Sequence, residues 1–335
     1  MIKRTLLVAC GFALSSTPLF AGSVKSANLD ITLSGGASAG YFFSNNTGSG
    51  NEDNFVVSDF IIELGSDSPK TGEVGFFGGY GNLAQVTVLN ASGEGADADS
   101  TLRYAWLSWV PVDNVTVEAG VLATKVGFEV ANSYSNGNIS LGSLWNAQPA
   151  YYPGARVSYD MGDISVYAEA NNDGAAGGSK AFGVGLSGSA SGVDYAINYF
   201  DADEGNSRNI IDLIVSTNVS GTDVGVNIDF HAFDDKPAGA DDDSGFGIAV
   251  YAVPTLAPTI TLPVRLEYIS DGDSGIYGFD SGFTLTATPT MNVGKHGFVR
   301  AEISYVTADN KMFADEDGKA EDTKTSFAFQ VGYKF

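Results

Sequence analysis

The residues of this 335-residue chain best placed to do chemistry are charged side chains that alternate with apolar ones. Arginines recur on the polar parity of several such stretches, together with carboxylates. The set comprises Arg103, Arg156, Arg265 and Arg300 with Glu118, Asp160, Glu169, Asp194, Asp229, Glu267 and Glu302. Opposed rows of arginine and carboxylate could set up a field across an aqueous space. Alternatively, they pair across neighbouring strands and only stiffen a wall.

Catalytic chemistry has weak support in the sequence. His231 and His296 are the two histidines, and neither has a serine context typical of an activated nucleophile. The stretch from Gly183 to Gly188 matches GxGxxG, but it lies inside an alternating segment and no helix follows it. The single cysteine, Cys10, lies in the N-terminal segment. We therefore expect no enzyme, no cofactor and no metal site.

The N-terminus has the composition of an export signal. Lys3 and Arg4 precede an apolar stretch that runs to Phe20, which predicts a signal peptide over residues 1–21 and cleavage after Ala21. Two of the 17 Lys and Arg residues lie in this segment. The rest of the chain therefore has 15 basic and 40 acidic residues, a net charge of about −25. A nucleic-acid partner is excluded, because phosphate binding requires positive charge.

The rest of the chain, residues 22–335, is expected to form a single all-β domain. The last residues, TSFAFQVGYKF, place Phe327, Phe329, Val331 and other apolar residues on one parity and polar residues on the other. The same alternation recurs about sixteen times, with 14 to 18 strands allowed by two poorly patterned segments at 72–88 and 276–288. Arginine is almost absent from the apolar parity, as a lipid-facing surface requires. This predicts a transmembrane antiparallel up-and-down β-barrel, whose closure satisfies every ladder hydrogen bond in lipid.

The connections alternate between short turns and long loops, as in barrels with short periplasmic turns and longer outer loops. The third long connection, 123–152, is the longest, and we predict that it folds towards the lumen. Small inward residues at Gly120, Gly183, Gly185 and Gly225 would make room for it. The alternative is a loop that lies over the mouth or packs against a neighbouring subunit. Its candidate constriction residues are Phe128, Glu129, Asn138, Trp145, Tyr151 and Tyr152.

This region also carries a resemblance. Within residues 112–163, the runs Gly127-Phe128-Glu129, Asn138-Ile139-Ser140 and Gly154-Ala155-Arg156 are similar to those of the OmpL-like β-barrel porins. The resemblance implies a porin of the bacterial outer membrane, in contact with lipid. The terminal Phe335 resembles the residue by which such barrels are recognised by the barrel assembly machinery, and porins of this type are often homotrimers.

The functional expectation is a water-filled channel for passive diffusion of small hydrophilic solutes and ions. Acidic clusters on the outer connections favour a mild cation preference. These clusters comprise Asp234, Asp235, Asp241, Asp242 and Asp243, and Asp315, Glu316, Asp317, Glu321 and Asp322. The alternative is a surface, adhesion or structural outer-membrane barrel with a plugged lumen.

Overall fold

The computed structural model of the chain describes residues 22–25, 30–48, 50–66, 69–93, 100–172, 180–202, 208–234, 242–271 and 275–335. The predicted signal peptide, residues 1–21, lies outside the described residues. Asp235 and Asp241 of the predicted acidic clusters lie outside them too. Among the described residues, no helix combines the length and the apolar character needed to cross a membrane.

Sixteen strands form one closed antiparallel barrel within the described part of the chain. In chain order they are β1 (Asp30–Ser44), β2 (Glu52–Ser66), β3 (Val74–Leu83), β4 (Thr101–Trp109), β5 (Val115–Ala123), β6 (Tyr151–Asp160), β7 (Ile164–Asn171), β8 (Ala181–Ala190), β9 (Val193–Ala202), β10 (Arg208–Val219), β11 (Thr222–Phe233), β12 (Ser244–Val253), β13 (Val264–Ser270), β14 (Ser281–Ala287), β15 (Gly297–Ala308) and β16 (Thr323–Lys334).

Each strand pairs with its neighbour in the chain, and β16 returns to pair with β1 over Gly36↔Lys334 to Ser44↔Ser326. This last pairing leaves no open edge between β1 and β16, as lipid requires, because an unpaired ladder group has no water to bond. A short strand, Gly22–Lys25, pairs with the beginning of β1 beyond the end of β16. The predicted closed barrel of about sixteen strands is confirmed.

Two ladders are extended by short strands on the far side of proline residues. Thr255–Ala257 pairs with Ile260–Thr261, and Ile260–Thr261 pairs with Thr290–Val293. Pro263 and Pro289 lack the N–H that a continuous ladder needs, which explains the breaks before β13 and after β14. A further small hairpin, Phe313–Ala314 with Ala320–Glu321, lies in the connection between β15 and β16.

The outward face of the barrel is apolar. Exposed side chains on alternate positions include Phe327, Phe329, Val331 and Tyr333 of β16, each about half exposed. Trp109 is also exposed, whereas Trp106 packs inside with Tyr104. Tyr41 and Tyr305 are exposed near the outer strand ends, where tyrosine is favoured at a membrane boundary. The alternation in the sequence therefore identifies which side chains of these strands face the lipid.

The two poorly patterned segments are shorter as strands than predicted. The prediction at 72–88 reduces to β3, and the prediction at 276–288 reduces to β14. In β3 the glycines at 75, 78, 79 and 81 blur the alternation, and its pairing with β4 shifts between Gly79 and Tyr80. The remainder of these segments lies in the connections that flank the two strands.

Candidate constriction site in the lumen

The connection between β5 and β6, residues 124–150, crosses the inside of the barrel; we call it the constriction loop. It contains two short 3-10 helices, Ser133–Ser135 and Leu144–Ala147. Its backbone and side chains contact inward-facing residues of strands as far apart as β2, β11 and β15. The loop therefore occupies the lumen rather than the space above it.

A carboxylate on β15 holds the tip of the constriction loop. Glu302 accepts hydrogen bonds from the backbone N–H groups of Ile139 (2.5 Å) and Ser140 (3.0 Å) and from the hydroxyl of Ser140 (2.5 Å). The hydroxyl of Thr288 donates to the same carboxylate at 2.7 Å and accepts a bond from Asn138 at 2.8 Å. Glu302 satisfies loop donors that would otherwise be buried without partners.

Arg265 of β13 links the loop to the wall by charge. Its guanidinium lies 2.5 Å from Glu129 of the loop and 3.1 Å from Glu267 of the same strand. It also donates to the carbonyl of Ser140 at 2.8 Å. The two carboxylates in turn accept the N–H groups of Gly142 (2.7 Å) and Leu144 (3.1 Å).

Burial governs the ionisation of Glu129, which lies on the loop between the spanning strands. Loss of water raises the pKa of Glu129 to about 7, while the Arg265 guanidinium opposes that rise and the charge of Glu267 adds to it. The pKa of Glu129 therefore lies close to neutral pH, where an exposed glutamate would be fully ionised.

Arg300 of β15 and Asp59 of β2 hold the first 3-10 helix from two sides. Arg300 donates to the carbonyls of Asn136 (3.0 Å) and Ser133 (3.1 Å), and its Cζ atom lies 4.8 Å from the centroid of the Phe298 ring. Asp59 accepts bonds from the backbone N–H of Ser133 at 3.0 Å and from the Ser133 hydroxyl. Both ends of this short turn are therefore satisfied by wall side chains.

The two ends of the loop meet the wall at a polar group that we call the stem cluster: Asn198 of β9, Asp212 of β10, and Asn227 and Asp229 of β11. Asn227 donates to Asp212 (2.5 Å) and Asp229 (3.2 Å) and accepts the N–H of Phe128 at 3.1 Å. Asn198 donates to Asp212 at 2.7 Å and to the carbonyl of Lys125 at 2.8 Å.

Gln148, near the other end of the loop, completes this contact. Its amide nitrogen donates to Asn227 at 3.0 Å and to Asp229 at 2.7 Å. The same amide oxygen of Asn227 thus receives both ends of the constriction loop, one through Phe128 and one through Gln148.

A second arginine centre lies on the wall beside the loop. Arg156 of β6 lies 2.6 Å from Glu169 of β7 and 3.5 Å from Glu118 of β5, and it donates to the carbonyl of Ala123 at 2.8 Å. Tyr152 donates to the same Glu169 at 2.5 Å. These are pairs across neighbouring strands, which was one of the two alternatives for the arginines.

Glycines on the wall make room for three large side chains of the loop. A Cβ on Gly225 would lie 2.6 Å from the ring of Phe128, and one on Gly36 would lie 2.8 Å from the ring of Tyr134. A Cβ on Gly247 would lie 3.1 Å from a methyl group of Leu144. Gly225 does what the sequence predicts, whereas Gly120, Gly183 and Gly185 face neighbouring strands instead.

Apolar clusters fill much of the lumen around the loop. Phe128 stacks on Tyr251 of β12 at 4.3 Å, within a cluster that also contains Leu144, Tyr277 and Phe313. Val126 packs with a second cluster on the outer ends of β8, β9 and β10. The connection after β3 joins the first of these clusters through Val88, whose backbone N–H donates to the carbonyl of Leu141 at 2.9 Å.

The predicted site residues divide into three groups. Phe128, Glu129, Asn138 and Trp145 lie on the constriction loop and are buried. The wall residues face inward, but Arg265, Glu267 and Asp229 are fully buried beneath the loop rather than open to a passage. Arg103 lies apart from these three and donates to the carbonyl of Gly81 at 2.9 Å.

The prediction was wrong for Tyr151 and Tyr152, which begin β6 and do not belong to the loop. Pairing with Leu122 and Ala123 extends the strand back to these residues, because aromatic residues favour strands. Tyr152 turns inward to Glu169, while Tyr151 stacks on Tyr104 at 5.1 Å.

Sequence reasoning did not identify several residues that hold the loop. They are Asp59, Asn198, Asp212, Asn227, Gln148 and Gln330, the last through a bond of 3.2 Å from its amide nitrogen to the hydroxyl of Ser133. Most are uncharged amides, which alternation alone cannot separate from ordinary polar wall residues.

Comparisons with known proteins agree with this geometry. The family described as "Putative beta-barrel porin-2, OmpL-like" matches residues 30–335. OmpT, an outer membrane protein of Vibrio cholerae, is similar with a TM-score of 0.65 at 12% identity, over 94% of this chain and 100% of that chain. The outer membrane channel DcaP of Acinetobacter baumannii is similar with a TM-score of 0.65 at 13% identity, over 94% and 100%.

An anion-selective porin from Comamonas acidovorans is similar with a TM-score of 0.66 at 12% identity, over 91% of this chain and 99% of that chain. At such identities these structures share the fold and nothing finer. In the comparison with curated proteins, no sequence matches this chain.

A closed barrel with an apolar exterior and a loop folded across its lumen, together with these matches, defines a porin channel of the bacterial outer membrane. The chain belongs to the OmpL-like β-barrel porin family, which its family match covers over residues 30–335. The predicted family, fold, porin function and outer-membrane location are therefore confirmed.

Proposed function

We propose that this porin admits small hydrophilic solutes and ions with a mild preference for cations. The observation that carries the proposal is the difference between paired and accessible charges inside the barrel. Arg156 and Arg265 are buried, and each contacts two carboxylates. Inward carboxylates nearer the periplasmic end, Asp160 and Asp194, are only half-buried. Accessible negative charge in a low-dielectric lumen attracts cations and repels anions.

The reversal potential of the purified barrel in a planar bilayer, under a potassium chloride gradient, tests this proposal. We expect a potential that favours potassium, and a smaller one in the Asp160→Asn, Asp194→Asn double variant. Asp163, exposed in the turn between β6 and β7, supplies the control, because Asp163→Asn should change the potential less. A potential that favours chloride in the unaltered protein would refute the cation preference.

The alternative of a plugged structural barrel keeps one specific observation in its favour. The constriction loop packs into apolar clusters with Phe128, Leu144 and Val126, as a protein interior does. Conductance separates the two functions, because a plugged barrel would pass neither ions nor sugars.

We propose that the protein has no catalytic role. His231 is fully buried, with its Nε2 4.0 Å from Asp229 and its ring edge-on to Tyr277 at 5.1 Å. These neighbours suit a packed lumen, and neither is a nucleophilic serine or cysteine. Unchanged conductance and no loss of any hydrolytic activity in His231→Gln are the expected results.

We also propose a homotrimer and recognition of Phe335 by the barrel assembly machinery. The outer surface between β2 and β5 has an apolar recess with small residues Gly78, Ala105 and Ala119 at its base, which suits close packing of a second copy. Phe335 exchanges two backbone hydrogen bonds of 3.0 Å with Gly35 at the periplasmic end. The mass of the particle in detergent tests the trimer, and the yield of folded barrel after Phe335→Ser tests the recognition.

A further inference from the structure

The stem cluster differs in charge from the contacts at the loop tip. At the tip, Arg265 and Arg300 supply cations beside the buried carboxylates. At the stem, Asp212 and Asp229 face each other across β10 and β11, and both are fully buried. Within the described residues, neither has an arginine or lysine within ion-pair distance. Because the two residues are direct partners in the β10–β11 ladder, two buried acids lie side by side on the wall.

Neutral amides replace the missing cation in this cluster. Asn198 and Asn227 donate to Asp212, and Asn227 and Gln148 donate to Asp229. Of these donors, Gln148 belongs to the constriction loop and the others belong to the wall. The hold on the returning end of the loop thus depends on one uncharged side chain, which donates to the buried acid Asp229 and to the amide oxygen of Asn227.

We propose that Gln148 and the stem cluster form an electrostatic latch that sets how closely the loop stem lies against β9–β11. The width of the passage along that wall, and so the size of solute that passes, would follow from the latch. The stem is in direct contact there, since Phe128 fits against Gly225 and donates its N–H to Asn227. The latch presupposes the porin channel but not its cation preference.

A charge series at one position distinguishes this latch from ordinary packing. Gln148→Lys supplies the cation that the two acids lack, so it should tighten the stem. Gln148→Leu removes both hydrogen bonds, and Gln148→Glu adds a third carboxyl group, so both should loosen it. Each change should shift the latch equilibrium by about tenfold or more, because hydrogen bonds to charged groups are the stronger kind. If Gln148 acted only by its size, the lysine and glutamate variants, whose side chains are of similar length, would not have opposite effects.

Swelling of liposomes in uncharged sugars is the suitable assay, because a new charge does not itself attract or repel these solutes. We expect Gln148→Leu and Gln148→Glu to admit arabinose and sucrose faster than the unaltered protein, with the larger gain for sucrose. Gln148→Lys should admit both more slowly. Asn146→Lys adds the same charge at an exposed position of the 3-10 helix Leu144–Ala147, two residues before Gln148, and should leave the rates unchanged.

A second background protects the test against misfolded variants. Only barrels that keep the heat-modifiable migration of the unaltered protein are compared. Asp229→Asn retains the shape of the cluster and removes one acid, so Gln148→Lys should lose most of its effect there. Equal sugar rates for the leucine, glutamate and lysine variants would overturn the latch. So would an effect of Gln148→Lys that persists undiminished with Asp229→Asn. If the Gln148 variants behave as expected in sugars but the unaltered protein shows no preference for cations, only the selectivity proposal is refuted.

Discussion

Arg265 is the side chain on which the charge balance at the loop tip depends. It is fully buried, and its guanidinium contacts Glu129 at 2.5 Å, Glu267 at 3.1 Å and the carbonyl of Ser140 at 2.8 Å. Arg265→Met keeps much of the side-chain volume and removes the charge. Two buried carboxylates then face each other without their cation, a loss that costs about 3–5 kcal/mol.

This cost falls on the loop rather than on the barrel. The ladder hydrogen bonds of β13 with β12 and β14 involve backbone groups that the substitution does not alter. The released fraction of the loop tip should therefore rise by a factor of roughly a hundred or more. Limited chymotrypsin digestion of the detergent-folded protein measures this, because the tip carries Tyr134, Leu141 and Trp145 while the strands stay protected.

The matched control restores neutrality without restoring the arginine. The triple variant Arg265→Met, Glu129→Gln, Glu267→Gln leaves no uncompensated charge, so it should regain much of the resistance to digestion. Resistance of Arg265→Met equal to that of the unaltered protein would refute the argument that charge holds the tip. A triple variant as sensitive as the single one would also refute it, and would leave lost packing as the cause.

Two further outcomes follow from the loop contacts. Gly225→Leu should push the stem from the wall, because even a Cβ would lie 2.6 Å from the Phe128 ring. We expect liposomes that contain this variant to swell faster in sugars. Adding Phe128→Ala to the same chain should remove the clash and return the swelling rate towards that of the unaltered protein. Equal rates for the single and double variants would contradict this. Burial raises the pKa of Glu129 from 4.5 to about 7, so the folded state keeps a proton that the unfolded chain releases in this window. The contribution of Glu129 to stability is therefore complete below pH 4.5 and is lost as the pH rises to 7. The temperature at which half of the protein loses its heat-modifiable migration should fall more over this pH range than it does in Glu129→Gln. Parallel pH profiles for the two proteins would contradict the assignment.

The barrel could be predicted because a period of two survives in most strands. In β15, Val299, Ala301, Ile303 and Tyr305 alternate with polar residues, and one parity meets lipid along the whole strand. The pattern fails where glycine removes the side chain that would report a face, as in β3. It also fails where proline interrupts pairing, as Pro289 does after β14.

The residues that hold the constriction loop were harder to find, for two physical reasons. Asp59 faces inward because the pairing of β1 with β2 shifts between Ser38 and Ala39, so that Ser58 and Asp59 both turn to the lumen. Asp212 lies in a stretch, IIDLIV, that is apolar on both parities, so alternation gives no inward face there. The loop partners are also distant in sequence, and no local pattern connects Ser133 with Asp59.

The doubly apolar stretch of β10 bears on how the channel can open. Ile210 and Ile214 point inward and are almost fully buried, since the loop and neighbouring clusters cover them. Exposing a large apolar side chain costs about 1.5–3 kcal/mol. Withdrawal of Phe128, Tyr134 and Leu144 from their glycine recesses would alone cost about 5–9 kcal/mol on that scale. Swinging the whole loop out of the barrel is therefore too costly to occur at each passage of a solute. Small displacements of the stem, where one glutamine bonds a buried acid and an amide, require far less free energy, which is why substitutions at Gln148 should control passage.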